Sequence, residues 1–385
     1  MTATLATGSA RKATGSPAER FSSRNPDDFS DVSARDEFWR FSPVATLRPL
    51  LERFTPTGSL TRRVDAPTAV AHNVVPMDHP AIGKATRPTD KASALAFAHS
   101  ASALLVQIPA NAVLDAPVTV AANGSEGSAY AHLTLEFGAF AEATVVLDYR
   151  GRVDVLENVE IVVGDGAQVT VLSLQNWDPG AVHLSAHAIR LGRDSSINHV
   201  VVNLGGSIVR LSPTVSFTGP GGNARCHGVS FAGAAQHFEA RLFVDHSEPD
   251  CASDVLYKNA LLGDTSRTVW IGDVRIRPAA TGTDTYEMNR NLLLSEGARA
   301  DSVPNLEIET GEIAGAGHAS ATGRFDDLQL FYLQSRGIDE QEARRLVVRG
   351  FFADVIGRIG VPEVEGDIMT AIEERLGYSH EKVEN

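Results

Sequence analysis

The chain has 385 residues, of which 43% are hydrophobic and 21% are charged, and its formal net charge is −14. This composition is typical of a globular protein with enough apolar side chains for a core. The acidic balance argues against nucleic-acid binding, because phosphate contacts need clustered positive charge, and it favours a protein partner. Two cysteines, Cys226 and Cys251, are too few for a disulfide framework or an all-cysteine metal site and fit a reducing compartment.

Residues 1–25 are rich in Ser, Thr, Ala and basic residues, with Glu19 as the only acid. Such a segment buries little apolar surface, so we predict a disordered tail over this range. An organelle transit peptide is the alternative. No apolar run reaches the roughly 18 to 20 residues that cross a bilayer. The sequence therefore predicts a soluble, cytoplasmic protein without a membrane partner, or an organellar one if the first segment is a transit peptide.

Residues 26–92 predict a small N-terminal helical region followed by a linker. Between Asp36 and Phe54, apolar residues recur at helix-like spacings around a break at Pro43. A polar stretch with four prolines follows, and at about Ser93 short β runs begin. We place the start of the main domain there.

The main domain, residues 93–323, contains a repeated unit of strand, glycine turn and strand. The corner glycines Gly138, Gly164, Gly192 and Gly219 recur at intervals of about 27 residues, a period typical of the coils of a β-solenoid. A glycine at such a corner can take a positive φ where the chain turns from one face to the next. We therefore predict a parallel β-helix of about eight coils stacked at ~4.8 Å.

An antiparallel β-sandwich is the alternative fold. It favours turns spaced about 8 to 12 residues apart and does not require a glycine to recur at the same corner. A parallel β-helix has an open strand edge at each end. Each edge must be covered by a terminal element or paired with another chain, since a free edge promotes aggregation.

Residues 324–385 predict a C-terminal helical domain. Asp326 and Gly337 fit the caps of a first helix. Asp339-Glu-Gln-Glu342 resembles a capping box for a second helix, which Pro362 is expected to end. A third helix is predicted from about Asp367 to Leu376.

Familiar catalytic motifs are absent from the sequence. There is no Gly-Lys-Ser/Thr phosphate loop, no Gly-x-Ser-x-Gly, no His-Glu-x-x-His and no Cys-x-x-Cys, so we expect neither an ATP site nor a familiar hydrolase. His183 and His187 would share one strand face, and Cys226-His227 offers two soft ligands. We interpret both pairs as structural, and the glycine-rich Gly311–Gly317 as a solenoid corner.

Three C-terminal segments resemble the SufB/SufD family of iron-sulfur cluster assembly proteins. They are Phe331-Tyr-Leu-Gln-Ser-Arg-Gly-Ile338, His318-Ala-Ser-Ala-Thr-Gly-Arg324 and Pro304-Asn-Leu-Glu-Ile308. Asp36-Glu-Phe-Trp-Arg-Phe-Ser-Pro43, His246-Ser-Glu-Pro-Asp-Cys-Ala-Ser253 and Asn291-Leu-Leu-Leu294 are similar to further family landmarks. The resemblance implies a right-handed parallel β-helix between helical ends and a complex of SufB, SufD and two copies of the ATPase SufC.

Within that family the chain resembles SufD. The SufB type carries a sulfur-accepting cysteine and a glutamate after the signature histidine, where this sequence has Ala298 and Ala319. It also has Ala316 where the SufD pattern has a cysteine, so the resemblance implies no cysteine ligand here. The implied role is a non-catalytic scaffold subunit with a SufB-like sister and a SufC-like ATPase as partners.

The candidate site residues come from the resemblance and from the apolar and aromatic content of the C-terminal domain. His318 is the candidate iron ligand for a transient iron-sulfur cluster shared with SufB. Whether reduced flavin binds this subunit or only the assembled complex is left open. Candidate contacts to the ATPase are the apolar residues of the C-terminal domain: Leu330, Phe331, Leu333, Phe351 and Phe352. The alternative is a carbohydrate-active β-helix enzyme, a lyase or hydrolase, with catalytic acids such as Asp148, Asp165 and Asp194 converging on a groove.

Overall fold

The computed structural model describes residues 19–325 and 327–377 and shows a parallel β-solenoid of about eight turns. Sheet A consists of β1 (Leu60–Asp65), β4 (Val118–Gly124), β6 (Glu142–Gly151), β8 (Gln168–Gln175), β10 (Ser196–Asn203), β12 (Asn223–Ala232), β14 (Ala252–Leu261), β16 (Asp284–Leu293) and β18 (Gly315–Arg324). Sheet B consists of β2 (Ala71–Val75), β3 (Ala103–Ile108), β5 (Ser128–Phe137), β7 (Asp154–Val163), β9 (Val182–Leu191), β11 (Ile208–Phe217), β13 (His237–His246), β15 (Arg267–Ile276) and β17 (Arg299–Ile308). The predicted fold class is confirmed.

The length of a coil grows towards the C-terminus. Ser128 of β5 lies opposite Asp154 of β7, so the step in residue number is 154 − 128 = 26. Arg267 of β15 lies opposite Arg299 of β17, where the step is 299 − 267 = 32. The glycine period therefore reports the length of the earlier coils. In these two coils the strands β5, β6, β15 and β16 all have ten residues, so the added length lies in the corners.

The corner glycines recur as predicted, but the predicted positive φ at these glycines is wrong. The left-handed residue lies two positions later in each coil: Phe140 (φ 58°), Gly166 (68°), Asp194 (50°) and Gly221 (77°). At the corner itself a side chain has no room, because a Cβ on Gly138 would lie 2.4 Å from the Ala110 backbone nitrogen and one on Gly164 would lie 2.7 Å from that of Ala139. Close stacking of successive coils therefore explains these glycines.

The N-terminal region differs from the predicted helices and linker. The helix expected from Asp36 is confined to α1 (Val44–Leu47) and a following 3-10 turn, Arg48–Leu50. The proline-containing stretch forms β1 and β2, because its prolines lie outside the two strands and leave their backbone N–H groups available. The first β runs were expected at Ser93, but that residue lies in α2 (Lys91–His99), which the Asp90 side chain caps.

The two outer faces of the solenoid are covered by opposite ends of the chain. Trp39, Leu47 and Leu95 of the N-terminal region pack on the outer face of sheet B. The C-terminal helices are α3 (Asp327–Ser335), α4 (Glu340–Ile356) and α5 (Pro362–Arg375). Phe352 and Ile372 from this domain pack on the outer face of sheet A. None of the helices in the described ranges has the length and apolarity needed to span a bilayer.

The C-terminal capping predictions were partly correct. The Asp339 side chain accepts a hydrogen bond from the Glu342 backbone nitrogen (2.9 Å) at the start of α4, and Gly337 after α3 has a φ of 84°. Pro362, expected to end a helix, begins α5, since proline lacks the N–H that the first helical turn leaves unpaired. Asp326 and residues 1–18 of the predicted tail lie outside the described residues. Arg20, within the predicted tail, pairs with Asp273 of β15.

Candidate functional site at the C-terminal end

The C-terminal end of the solenoid has two open strand edges. β17 pairs only with β15, and β18 pairs only with β16, within the part of the chain that the structure describes. The side chains of both strands are half-buried or exposed. The last coil therefore presents unpaired backbone N–H and C=O groups around the end of the packed interior.

His318 lies on β18 at the open end of the solenoid, which is called the mouth below. Its register partner is Glu287 of β16. The same column of register partners continues with Val255 of β14, Cys226 of β12 and His199 of β10. This column faces the interior, where Val255 and Cys226 belong to the main core. Since no coil lies beyond it in the described structure, the His318 side chain is exposed, whereas the others are buried.

Glu287 is the most unusual residue of this column. Its side chain is buried, with only 1% of the residue exposed, and neither carboxylate oxygen has a hydrogen-bond partner among the described residues. Burial and, to a smaller extent, the Asp273 charge raise the pKa of Glu287 to about 8. Gly272 leaves space for the carboxyl group, since a Cβ there would lie 2.8 Å from Glu287 Oε1.

A set of amide and hydroxyl side chains at the open end forms a hydrogen-bond network. Asn291 Nδ2 donates to Asn289 Oδ1 (2.8 Å) and to Thr322 Oγ1 (3.0 Å). Ser302 Oγ also donates to Asn289 Oδ1 (2.6 Å), and Asn259 donates to Asn291 Oδ1 (2.8 Å). Glu287 takes no part in this network, and the neighbouring Tyr257 hydroxyl and Trp270 Nε1 also lack partners in the described structure.

Thiol chemistry is not available at the mouth. Ala298 and Ala316, which stand where the family signatures have cysteines, are core or core-contacting residues. Cys226 lies two coils below Glu287, and burial and nearby carboxylates raise the pKa of its thiol to about 12. Cys251 is also buried, and its pKa is raised chiefly by that burial. His318 therefore offers a solvent-exposed imidazole, and neither cysteine accompanies it, at the open end of the described structure.

The candidate ATPase contacts are divided between buried and exposed positions. Leu330 and Phe352 are buried, and Phe351 packs partly against the same cluster as Phe352. Leu333 is half-buried. Phe331 is 69% exposed, and beside it Tyr332, which the sequence reasoning did not select, is 57% exposed. Of the five predicted contacts, Phe331 alone presents most of its side chain.

The pair His183 and His187 and the pair Cys226 and His227 have contacts that support the structural interpretation made from the sequence. His183 contacts Glu157 Oε2 (2.9 Å) and Gln175 Oε1 (2.7 Å) inside the solenoid. His187 contacts His199 (2.9 Å). Cys226 faces the core, whereas its neighbour His227 faces outwards and lies 3.5 Å from Asp254.

The three acids of the carbohydrate-active alternative do not converge on a groove. Asp165 and Asp194 lie at successive corners, where Asp165 Oδ1 accepts a hydrogen bond from the Arg193 backbone nitrogen (2.9 Å). Asp148 lies within β6 and pairs with Arg150 (2.9 Å). The corner positions support the structural role of turn residues for Asp165 and Asp194.

Fold and site together define a parallel β-solenoid protein with an open C-terminal end. Residues 120–351 match the family model described as "SUF system FeS cluster assembly, SufBD core domain". The chain is 51% identical to an iron-sulfur cluster assembly SufBD family protein of Mycobacterium tuberculosis, over 93% of this chain and 92% of that protein. This chain therefore belongs to the SufBD family of iron-sulfur cluster assembly proteins, and the predicted family is confirmed.

The chain is also similar to two proteins named SufD. It is 28% identical to SufD of Bacillus subtilis, over 70% of this chain and 63% of that protein. With SufD of Escherichia coli it shares 26% identity, over 70% of this chain and 64% of that protein. Both relatives are named as iron-sulfur cluster assembly proteins, which agrees with the predicted SufD resemblance.

Proposed function

We propose that this chain is a non-catalytic, SufD-like scaffold subunit that pairs with a SufB-like sister subunit and docks a SufC-like ATPase. One observation supports the proposal: the two sheets end differently at the two ends of the solenoid. At the N-terminal end each sheet ends on a short antiparallel strand, β1 paired with β4 and β2 paired with β3. At the C-terminal end both sheets end on long parallel strands, β17 and β18, which a further parallel coil could continue.

A sister solenoid with the same strand spacing can complete the free edges by strand addition. Each added strand would pair with the backbone groups that β17 and β18 leave free. His318 lies on the edge strand β18, so its imidazole would come within reach of ligands from the sister. An imidazole nitrogen suits iron, and the nascent cluster is the cargo. Mixed ligation, with the thiolates supplied by the sister, would hold that cargo transiently.

The C-terminal helices supply the surface for the ATPase. α4 and α5 are fixed to the outer face of sheet A. Phe331 and Tyr332 of α3 remain exposed and form a small aromatic surface. Aromatic residues of this kind are common anchors at protein interfaces.

The edge pairing is tested by co-expressing the tagged chain with SufB-like and SufC-like subunits. Leu306→Pro in β17 should remove ladder hydrogen bonds and reduce the SufB recovered. Gly311→Pro, in the loop before β18 where nothing lies within 4 Å of the added Cβ, is the matched control. Normal recovery with a folded Leu306→Pro chain would contradict the interface.

The two other surfaces are tested in the same system. Phe331→Ala with Tyr332→Ala should reduce SufC recovery and leave SufB recovery unchanged. Deleting the helices is a poorer test, because it would expose the apolar outer face of sheet A.

His318→Ala should preserve assembly and lower the iron and sulfide content of the complex. Full cluster content in that variant would remove His318 from the site.

A further inference from the structure

We propose that a pocket at the outer face of sheet B binds a small organic carboxylate, whose charged group pairs with Arg241 and whose apolar part packs against neighbouring side chains. The pocket, called the Arg241 pocket below, has a volume of about 490 Å³. Small-molecule sites commonly have volumes of about 300 to 1,000 Å³. The proposal rests on the geometry of this chain and does not depend on the partners of the proposed function.

One column of side chains on that face forms part of the Arg241 pocket. Arg241 of β13 lies opposite Ile271 of β15, which in turn lies opposite Val303 of β17. Phe38 and Phe41, from the segment that precedes α1, also line the pocket. The pocket therefore combines one buried guanidinium with aliphatic and aromatic surfaces.

The Arg241 guanidinium is buried without an anion. Only 4% of the residue is exposed, and its Cζ lies 4.3 Å from the centroid of the Phe38 ring. Nε and Nη1 have no hydrogen-bond partner among the described residues. Burial and, to a smaller extent, the charge of Arg210 lower the pKa of Arg241 to about 10, so the group is still charged at pH 7. A buried charge is costly unless an opposite charge pairs with it.

The two acids whose charges act on Arg241 have other partners. Glu239 Oε1 accepts a hydrogen bond from Arg210 Nε (3.2 Å). Asp273 pairs with Arg20. Both acids raise the pKa of Arg241 by their charge, but neither accepts a hydrogen bond from its Nε or Nη1. The Arg241 N–H groups are therefore left for an anion that enters the pocket.

The surroundings favour a carboxylate with an apolar part over other anions. A guanidinium donates paired hydrogen bonds to a carboxylate with matching geometry, and Ile271 and Val303 provide apolar surface beside it. A phosphate, which carries up to two charges, would call for a second buried cation, and the buried Arg20 is already paired with Asp273. Because Arg241 is buried, a ligand that enters the pocket can reach it more readily than a flat protein surface can.

The site is tested with 2-aminobenzoate, a fluorescent aromatic carboxylate, on the purified full-length chain without partners. 2-Aminobenzamide is its neutral counterpart and has nearly the same shape. Fluorescence anisotropy should show that the wild-type chain binds the acid at least tenfold more tightly than the amide, because a hydrogen bond to a charged group contributes about a factor of ten or more.

Arg241→Met keeps an unbranched side chain and removes the charge. It should lower the affinity for 2-aminobenzoate at least tenfold and leave the affinity for 2-aminobenzamide unchanged. The variant should fold, because it removes a buried charge that has no partner. Arg40→Met is the matched control: Arg40 lines the same pocket, but it is exposed and lies over the Phe41 ring. Its affinity for 2-aminobenzoate should equal that of wild type.

Three results would overturn the carboxylate site: no binding of 2-aminobenzoate by wild type, equal affinities for the acid and the amide, or unchanged binding in Arg241→Met. The comparison of acid and amide uses wild type alone, so it decides the question even if Arg241→Met does not fold. If wild type binds no 2-aminobenzoate while Arg241→Met lowers the recovery of a partner subunit, an acidic side chain of that partner pairs with Arg241 and the small-ligand site is rejected.

Discussion

The two ends of the solenoid solve the problem of an open edge in opposite ways. At the N-terminal end, β1 and β2 turn antiparallel to the stack and end both sheets. At the C-terminal end, β17 and β18 continue the parallel stack and stop without a cover among residues 19–325 and 327–377. The N-terminal end thus finishes on short antiparallel strands, a common way to make an edge less open to further pairing, whereas the C-terminal end keeps the geometry of the stack.

Two inward-facing carboxylates repeat this contrast inside the solenoid. Glu157 pairs with Arg62 of the β1 cover and accepts hydrogen bonds from Tyr149 (2.9 Å) and His183 (2.9 Å). Burial alone would raise the pKa of Glu157, but the Arg62 charge and the His183 contact outweigh it and hold the pKa at about 2. Glu287 has no such partner among the described residues, and its pKa is raised to about 8.

The largest effect is expected from removing the charge that the cover supplies. Arg62→Ala leaves Glu157 buried with histidine and tyrosine neighbours but without the guanidinium. Breaking a buried ion pair by removing one partner costs about 3 to 5 kcal/mol. Urea denaturation at pH 7 should show a loss of this size in the free energy of unfolding.

Arg63→Ala is the control for this experiment. Arg63 follows Arg62 on β1, but its side chain is exposed on the opposite face. Exposed substitutions of this kind change stability by about 0.5 kcal/mol or less. Equal losses in the two variants would mean that the cover acts through the backbone of β1 and not through the ion pair.

The second largest effect is expected from acid, which should lower the free energy of unfolding through Glu157 at the N-terminal end. Glu157 has a pKa of about 2 in the folded chain against an ordinary value of 4.5, so the folded state binds its proton less readily. The resulting stability is fully present above pH 4.5 and is lost as the pH falls towards 2, by about 3 kcal/mol. Denaturation from pH 6 to pH 2 should show this loss.

Glu157→Gln should flatten that pH profile. Glu239, whose pKa is also held at about 2 because the Arg210 charge outweighs its burial, remains in this variant. A residual slope is therefore expected. If Glu157→Gln has the same profile as wild type, the ion pair at the N-terminal end does not contribute to acid stability.

The sequence predicted what repeats and missed what depends on distant contacts. The corner glycines, Gly138 and those that follow it at one-coil intervals, predicted the solenoid because each coil turns at the same corner. Nothing local marks Leu60–Asp65 as a cover, because this strand is defined by its pairing with Val118–Gly124, which lies far along the chain beyond β2, α2 and β3.

The candidate site was predicted only in part, for a similar reason. His318 was found through family resemblance, whereas Glu287 was missed because it lies one whole coil earlier, at a step of 318 − 287 = 31 in residue number. Counting one coil back from His318 would have found it, but the coils in this part of the chain are longer than the spacing of the corner glycines. Its burial and lack of partners depend on Gly272 and Trp270, from the opposite sheet.

The smallest effect is expected at the open end, and its sign should be opposite to that at the closed end. At pH 7, Glu287→Gln should leave the free energy of unfolding unchanged or raise it by about 1 kcal/mol. The amide is already neutral, whereas Glu287, with its pKa raised to about 8, must take up a proton on folding to be buried without charge. Glu157→Gln should lower the free energy of unfolding, because Arg62 then keeps a buried charge without its partner. Urea denaturation of both variants provides the comparison. A loss above about 1 kcal/mol in Glu287→Gln would mean that this carboxyl group stabilises the folded chain, and the contrast between a paired carboxylate at the N-terminal end and an unpaired one at the C-terminal end would then fail.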